Sequence, residues 1–278
     1  MNLIIQATRA IAPAHLAHLA ELTRSTHPTT IAAHVYRFSA AQSHPGLADY
    51  CLEHQLDFGF VPQGKTLADF GLVVMDMDST LITVECIDEI ADMQGLKPQV
   101  ARITAAAMRG ELDFAESLRQ RVALLAGLDE SALQRVYDER LELTAGAEVM
   151  LAKLKAHGIK TLLVSGGFVF FTERLQKRLG LDYAHANTLE IIDGKLTGKV
   201  LGDIVDAQAK ADWLVKVRDE LKLEPEQVIA VGDGANDLKM MAQAGTGIAF
   251  HAKPVVRTQA SYALNFVGLD GLLHLFAN

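Results

Sequence analysis

Apolar and polar residues alternate along this chain with two periodicities, one typical of strands and the other of helices. In the first 70 residues, three strand-like runs enclose two helical patterns; in chain order these elements cover residues 3–7, 13–24, 31–38, 45–55 and 57–62. This β-α-β-α-β order favours a small α+β unit. Pro62 and Gly64 follow as a linker, so we predict a separate N-terminal domain over residues 1–70.

From residue 71 onward, short apolar runs end in polar or glycine residues and lead into helical patterns. The predicted strands cover 73–78, 160–167, 227–234 and 247–251, and the predicted helices cover 146–157, 169–179, 207–221 and 236–244. This alternation is typical of a doubly wound, Rossmann-like α/β fold with a parallel sheet. The Asp193-Gly194 pair predicts an additional β-hairpin around a tight turn.

Residues 86–143 interrupt this alternation, because they show helical spacing without a convincing strand. They predict a helical cap domain inserted after the first strand of the core. The core then comprises residues 71–85 and 144–278. Hinges are expected near 81–85 and 143–147, where the chain leaves and rejoins the core.

Composition narrows the class of protein. Half of the 278 residues are hydrophobic and 22% are charged, as in an ordinary globular protein. The net charge of −8 argues against a nucleic-acid surface, which needs clustered Lys and Arg. No signal peptide is evident, and no apolar run approaches the ~18 residues of a membrane span. Cys51 and Cys86 offer no disulfide framework, which suits a reducing compartment. We therefore predict a soluble, cytoplasmic protein that binds neither nucleic acid nor membranes.

The first strand of the core ends in two carboxylates, Asp76 and Asp78, within the segment LVVMDMDST. Two like charges so close together need a cation or a shared proton. Open α/β sheets bind ligands at the carboxyl ends of their strands. Taken alone, the motif also fits a solvated turn, since Asp and Ser favour turns. With the motifs that follow, it predicts Mg²⁺ and an anionic substrate.

Three further motifs follow in order: Ser165-Gly166-Gly167 after a strand, Lys210 on a helix, and GDGAND at 232–237. Mg²⁺ prefers oxygen ligands and usually keeps a substrate phosphate among them. Asp76 and Asp233 can supply carboxylate oxygens and Asp78 its backbone carbonyl, while Asp237 supports them from behind. The predicted metal site is therefore formed by the ends of two strands.

The same motifs predict a phosphate site. Ser165 and the backbone N–H groups of Gly166 and Gly167 form a cradle at a helix N-terminus. Lys210 adds a positive charge that offsets the phosphate and the nearby carboxylates.

In this order and over residues 71 to about 270, the four motifs resemble the haloacid dehalogenase superfamily of phosphotransferases. The flanking segments DSTLITVECIDEIA, AMRGELDFAESLRQRVALLAGL and AVGDGANDLKMM are similar to the phosphoserine phosphatase family. The resemblance implies Mg²⁺-dependent hydrolysis of O-phospho-L-serine to serine and phosphate through an aspartyl-phosphate. In metabolism this is the last step of serine biosynthesis.

The resemblance also implies residue roles. Asp76 is the expected nucleophile. Asp78 is the expected general acid and base, which requires a raised pKa. The substrate contacts implied in this way are Glu85 with the ammonium, Arg121 with the carboxylate, Phe114 closing over the site, and Ser165, Gly166, Lys210 and Asn236 with the phosphate.

Two alternatives stay open at this point. One is a phosphatase or phosphotransferase of the same superfamily that acts on another small phosphorylated amino acid or alcohol. The other is an amino-acid-sensing or interaction protein whose function resides in residues 1–70. Oligomeric state is also open, with a homodimer among the choices. The histidines in that region (His15, His18, His27 and His34) have irregular spacing, so we interpret them as solvated or packed rather than metal-binding.

Overall fold

The computed structural model describes residues 1–277 and, among them, every side chain except that of Met108. The N-terminal region contains, in chain order, β1 (Asn2–Gln6), α1 (Pro13–Leu22), β2 (Thr29–Ala32), β3 (Val35–Phe38), α2 (Leu47–Glu53) and β4 (Asp57–Val61). The single strand predicted over 31–38 is wrong, because the chain reverses there and β2 pairs antiparallel with β3. His34 adopts a left-handed φ of 60° in the turn. No glycine or proline marks this turn, so the apolar pattern reads as continuous.

The remaining elements begin with β5 (Leu72–Met75) and four helices, which are α3 (Cys86–Met93), α4 (Lys97–Met108), α5 (Phe114–Ala123) and α6 (Ser131–Glu139). They continue with α7 (Ala147–Ala156), β6 (Lys160–Phe168), α8 (Val169–Leu179), β7 (Tyr183–Ile192), β8 (Lys195–Leu201) and α9 (Ala207–Glu220). The last are β9 (Val228–Gly232), α10 (Leu238–Gln243), β10 (Thr246–Phe250), α11 (Pro254–Arg257), β11 (Tyr262–Leu264) and α12 (Gly271–Leu275). Within residues 1–277, no helix combines the length and apolarity that crossing a membrane requires.

The strands form one sheet in the order β2-β3-β1-β4-β11-β10-β9-β5-β6-β7-β8. The segment from β11 to β7 is parallel, with β5 between β9 and β6. Alternate residues of β5 enter two hydrophobic cores: Val73 and Met75 face one side, and Leu72 and Val74 face the other. The predicted doubly wound α/β fold is therefore confirmed, and its strand ends meet at one edge.

The C-terminal elements join the N-terminal region to this sheet, which the sequence did not predict. Strand β11 pairs antiparallel with β4 through Ala263 and Phe58. The Gln6 side-chain amide donates to the Gly271 carbonyl at 3.2 Å, and Arg37 donates to the Ala277 carbonyl. The boundary of a separate domain at residue 70 stays a prediction, although the sheet itself is continuous across it.

Asp57 is the main polar anchor of this junction. It is buried, and its carboxylate accepts hydrogen bonds from the backbone N–H groups of Asn265, Phe266 and Val267 at 2.6, 2.9 and 2.9 Å. Burial raises the pKa of Asp57, and these three bonds oppose that shift. A carboxylate can accept all three at once, so the loop after β11 is fixed against β4.

We expect Asp57→Ala to lower the free energy of unfolding by about 3 kcal/mol, because it leaves three buried N–H groups without an acceptor. Urea unfolding monitored by circular dichroism measures the change. The control is Asp203→Ala, since Asp203 is exposed. Equal stability of the two variants would show that the Asp57 contacts contribute little.

Two chain segments connect the helical segment to the core, and they lie next to each other. Ile82 and Leu143 form an antiparallel bridge, flanked by hydrogen bonds from Thr83 N–H to the Glu142 carbonyl and from Thr144 N–H to the Leu81 carbonyl, both 3.0 Å. The connections thus lie side by side at the two places where hinges were predicted. Cap motion about them stays a prediction, as do the cap bounds 86–143.

Three histidines of the N-terminal region, His15, His18 and His54, pack against Tyr50. His15 Nδ1 lies 2.6 Å from the Tyr50 hydroxyl, and the His18 ring lies 4.4 Å from the Tyr50 ring between centroids. Within residues 1–277, the one group of three or more side chains placed to hold a metal ion is acidic and lies in the core.

Candidate active site

Asp76 lies immediately after β5, in the middle of the parallel sheet, and is buried. Its Oδ1 accepts the backbone N–H of Met77 at 2.8 Å, which holds the side chain at the strand end. The turn that follows contains Ser79 at a φ of 55°, a left-handed conformation that costs energy for a residue other than glycine. The chain thereby turns sharply and places Asp76 and Asp78 on the same cavity.

Lys210 is the cation of the buried site. The N-cap residue Asp206 fixes the start of α9 by accepting the N–H groups of Gln208 and Ala209. One turn later the Lys210 ammonium donates to Asp76 Oδ1 at 2.6 Å and to Asp237 Oδ1 at 2.8 Å. The lysine therefore joins the first and last of the predicted motifs.

The protonation states in this network follow from its charges. Burial opposes a charge on Lys210, but Asp237 and Asp76 together raise its pKa above the ordinary value. Burial and Asp237 raise the pKa of Asp76, and Lys210 opposes them. Because the ammonium donates to both carboxylates at short distances, we take Lys210 as charged and Asp76 as ionised. One ammonium between two carboxylates leaves a surplus negative charge.

A cation would compensate that surplus. One carboxylate oxygen from each of Asp76, Asp233 and Asp237 lies within 4.8 Å of the others. Burial, Asp237 and Glu85 raise the pKa of Asp233 to about 6, so negative charge is crowded there. Hard oxygen donors of this kind fit a divalent cation such as Mg²⁺. The geometry therefore supports a metal site.

Asp237 differs from the other two members of this cluster. Its Oδ1 accepts Lys210, and its Oδ2 accepts the backbone N–H of Gly234 at 3.0 Å. It is fully buried and does not line the cavity, whereas Asp76 and Asp233 do. Asp237 thus lies behind the cavity wall, bonded to Lys210 and Gly234, and its supporting role at a metal site stays a prediction.

Asp78 has the environment of a carboxyl group that holds a proton near neutral pH. One oxygen accepts the Cys86 backbone N–H at 3.0 Å. Burial and the neighbouring charge of Glu85 raise the pKa of Asp78 to about 7. This is the direction that a general acid requires.

The Ser165-Gly166-Gly167 segment differs in detail from the predicted cradle. The Ser165 side chain is fully buried, and its Oγ accepts the Gly167 N–H at 2.8 Å. One of the N–H groups expected for phosphate is therefore paired within the motif. Gly166 and Gly167 line the cavity, and Ser165 lies beneath them.

A cavity of about 650 Å³ separates the helical segment from the strand ends. Its core side includes Asp76, Asp78, Gly166, Asp233 and Asn236, and its helical side includes Glu85, Phe114 and Arg121. The structure thus brings together the predicted residues of both regions, with Ser165, Lys210 and Asp237 buried behind the wall.

Phe114, on the helical side, lies close to Gly166 on the core side of the cavity. A Cβ atom added to Gly166 would lie 2.7 Å from the Phe114 ring, so a larger residue here would displace that ring. Glu85 accepts a hydrogen bond from the Ser79 hydroxyl at 2.8 Å. Burial lowers the pKa of Arg121, while Asp88, Glu85 and Asp78 oppose that shift, which places the guanidinium in a field of carboxylates.

Two charged residues of the cavity wall, Asp88 and Lys253, were not predicted from the sequence. Asp88 lies in α3, where the helical pattern did not show which face meets the core. Lys253 follows β10 by three residues. Applying the rule for strand ends to the predicted strand 247–251 would have found it.

Comparison with known proteins agrees with this site. A family model described as haloacid dehalogenase-like hydrolase matches residues 70–245. A second model, described as a domain of unknown function, matches residues 3–47. The fold, the acidic site and the first match together define a haloacid dehalogenase-like hydrolase.

Three similar proteins narrow the class. The phosphoserine phosphatase of Polaromonas sp. is 53% identical over 214 residues, covering 75% of this chain and 91% of that protein. A crystal structure of a HAD family hydrolase from Salmonella enterica serovar Typhi has a TM-score of 0.91 at 36% identity, covering 100% of this chain and 98% of that one. A phospho-aspartyl intermediate analogue of phosphoserine phosphatase has a TM-score of 0.69 at 41% identity, covering 73% of this chain and 97% of that one. This chain therefore belongs to the phosphoserine phosphatase family, as the sequence motifs predicted.

Proposed function

We propose that this protein hydrolyses O-phospho-L-serine to L-serine and phosphate, the last step of serine biosynthesis, through an aspartyl-phosphate formed on Asp76. The observation that carries the proposal is one cavity in which two groups of residues face each other. The strand-end carboxylates Asp76 and Asp78 lie on one side, and Glu85 and Arg121 lie on the other. The first group suits phosphoryl transfer and the second an amino acid.

In the first step, an oxygen of the Asp76 carboxylate forms a bond to phosphorus while the bond from phosphorus to the seryl oxygen breaks. The departing oxygen takes a proton from Asp78, whose pKa of about 7 allows it to hold that proton near neutral pH. The products of this step are serine and a phosphorylated Asp76. Asp78 is then ionised.

In the second step, water attacks phosphorus and the bond to Asp76 breaks. Asp78 accepts the proton from this water, so it returns to its starting state and Asp76 is regenerated. The same carboxyl group therefore serves as acid and then as base. Its position beside the nucleophile, two residues along the turn, makes both transfers feasible.

Mg²⁺, when bound, would reduce the repulsion between the phosphate and the carboxylates. The ligands from this chain would be Asp76, Asp233 and the backbone carbonyl of Asp78, with Asp237 orienting the group. The oxygen cluster within 4.8 Å supports this assignment. Lys210 holds Asp76 by a 2.6 Å hydrogen bond, so the nucleophile is oriented before substrate enters. Gly166 and Asn236, which line the cavity, would complete the phosphate contacts, and Ser165 behind them would hold the Gly167 N–H in place.

Substrate choice is assigned to the helical side of the cavity. Arg121 would bind the serine carboxylate, since a planar guanidinium matches it with two hydrogen bonds. Glu85 would bind the ammonium, and Phe114 would exclude water. The cation and the carboxylate on the same wall complement the two charges of an amino acid.

We expect Arg121→Ala to lower kcat/KM for O-phospho-L-serine by about 100-fold, mainly through KM, because a charge pair in a desolvated site is lost. Phenyl phosphate, which has no carboxylate, should lose less than about 3-fold. Phosphate release at fixed Mg²⁺ measures both. The control is Arg119→Ala, since Arg119 is exposed on the same helix.

Equal losses of kcat/KM on both substrates would show that Arg121 does not bind the carboxylate of the substrate. A substrate panel with the unchanged enzyme tests the activity itself. Preference for another phosphomonoester, or transfer of the phosphoryl group to an added alcohol, would contradict the proposed phosphoserine hydrolysis. Either result would favour the alternative of a related enzyme with another specificity.

The cytoplasmic location is also part of this proposal. Cys51 and Cys86 are both free and buried, and burial raises the pKa of Cys51 to about 12. Unpaired thiols suit a reducing compartment. Cell fractionation with activity assays tests the location. The homodimer stays a prediction, which sedimentation can test.

A further inference from the structure

Lys253 lines the cavity beside Asp233, Gly234 and Asn236 but has no part in the chemistry described above. Its backbone N–H lies 3.4 Å from the Asp233 carbonyl oxygen, so the two loops are in contact. Lys253 therefore belongs to the core side of the cavity, next to a proposed metal ligand and the proposed phosphate contact Asn236.

The backbone around Lys253 is held firmly. His251 N–H donates to the Leu264 carbonyl at 2.7 Å, and His251 Nε2 lies 2.9 Å from the Val267 carbonyl oxygen. Ala252 is buried, and the Lys253 carbonyl accepts the Val256 N–H at 2.9 Å. A charged group on such a fixed segment is positioned before a ligand arrives, which is how binding sites gain precision.

Acidic side chains outnumber cationic ones in the cavity wall, so an anionic substrate needs cationic contacts there. The wall includes five carboxyl groups and only two cationic side chains, Arg121 and Lys253; the carboxyl groups are those of Asp76, Asp78, Glu85, Asp88 and Asp233. Lys210, behind the wall, already donates to Asp76 and Asp237. Arg121 lies on the helical side, in the field of Asp88, Glu85 and Asp78.

Lys253 differs from both of these cations. Its ammonium has no carboxylate within 4.0 Å among the residues described. It is exposed at the wall and thus available to an incoming anion. A lysine ammonium is a compact point charge on a flexible stem, which suits a phosphate group.

We infer that Lys253 is a substrate-binding residue whose ammonium contacts the phosphate group of the phosphomonoester and of the inorganic phosphate product. The inference rests on the proposed function for the identity of the ester, but the phosphate contact does not depend on serine. Lys253 would bind the outer oxygens of the phosphate on the Asn236 side, while Lys210 holds the nucleophile.

The test compares Lys253→Met, which keeps an unbranched stem and removes the charge, with Lys253→Arg, which keeps the charge. Lys253→Met should raise KM for O-phospho-L-serine and the inhibition constant of inorganic phosphate by the same factor, about 20-fold, with kcat changed less than about 3-fold. Lys253→Arg should bring both KM and the inhibition constant of inorganic phosphate most of the way back to the wild-type values. Lys199→Met is the control, because Lys199 is exposed on β8.

Calorimetric titration of inorganic phosphate into the Mg²⁺-loaded protein repeats the comparison without turnover. Weaker phosphate binding by Lys253→Met supports the inference even if phosphoserine proves not to be the substrate. Unchanged phosphate binding overturns it, whatever the substrate is.

Discussion

Asp76→Asn should lower kcat for phosphate release from O-phospho-L-serine by about 10⁴-fold or more, because the amide has no carboxylate oxygen with which to attack phosphorus. The substitution keeps the shape of the side chain, which is buried against Lys210 and Asp237. Substrate binding should therefore survive. Steady-state and single-turnover phosphate release measure the effect, with Asp203→Asn as the exposed control.

The folded state should tolerate Asp76→Asn. Burial and the neighbouring carboxylate of Asp237 disfavour the Asp76 charge, and Lys210 retains Asp237 as a partner at 2.8 Å. We expect the melting temperature to fall by no more than a few degrees, or to rise. A loss of activity with unchanged folding then identifies a chemical role. If Asp76→Asn keeps more than about one hundredth of the wild-type kcat, Asp76 is not the nucleophile.

Lys210→Met should lower kcat/KM by about 10³-fold, because it removes the cation that orients the nucleophile and offsets its charge. It should also reduce stability by about 3–5 kcal/mol, since Asp76 and Asp237 are left buried without their ammonium. Added Mg²⁺ should restore part of that stability through the acidic cluster. Thermal melting with and without Mg²⁺, together with phosphate release, separates the two effects.

Lys210→Arg is the matched variant for this experiment. It keeps the charge but replaces a point-charge ammonium that donates at 2.6 and 2.8 Å with a larger planar group. It should be more stable than Lys210→Met and remain impaired in turnover. Near wild-type activity in Lys210→Met would contradict the role assigned to the ammonium.

The core of the fold was predictable because its strands are buried on both faces and therefore read as unbroken apolar runs. The run ending at Met75 is an example, with β9 and β6 on either side of it. Parallel pairing then placed Asp76 and Asp233 at the same sheet edge, as their positions after two strands predicted. The pattern of apolar residues and the positions of the aspartates after the strands were sufficient to predict these features.

Other features depend on contacts that have no local signature. The turn at His34 contains neither glycine nor proline, so one strand was predicted where two occur. Strand β11 has three residues and pairs with β4 across about 200 positions of sequence. Asp57 appeared as an ordinary strand residue, yet it fixes the loop at 265–267.

Some residues of the candidate site were likewise predictable from the sequence, and others were not. Charged residues at strand ends were predictable from general rules, whereas Arg121 and Glu85 were identified only through the family resemblance. Helical spacing shows that α5 has an apolar face but does not show that Arg121 reaches the cavity. Nor could the sequence show that Ser165 Oγ would pair with the Gly167 N–H.

The most direct measurement is rapid acid quenching of the enzyme during turnover of O-phospho-L-serine carrying a radioactive phosphate, followed by peptide mapping. We expect label on the peptide that contains Asp76, formed and lost at rates compatible with phosphate release, and no label in Asp76→Asn. Phosphate release at full rate with no labelled peptide, or with label on another residue, would contradict the proposed aspartyl-phosphate on Asp76.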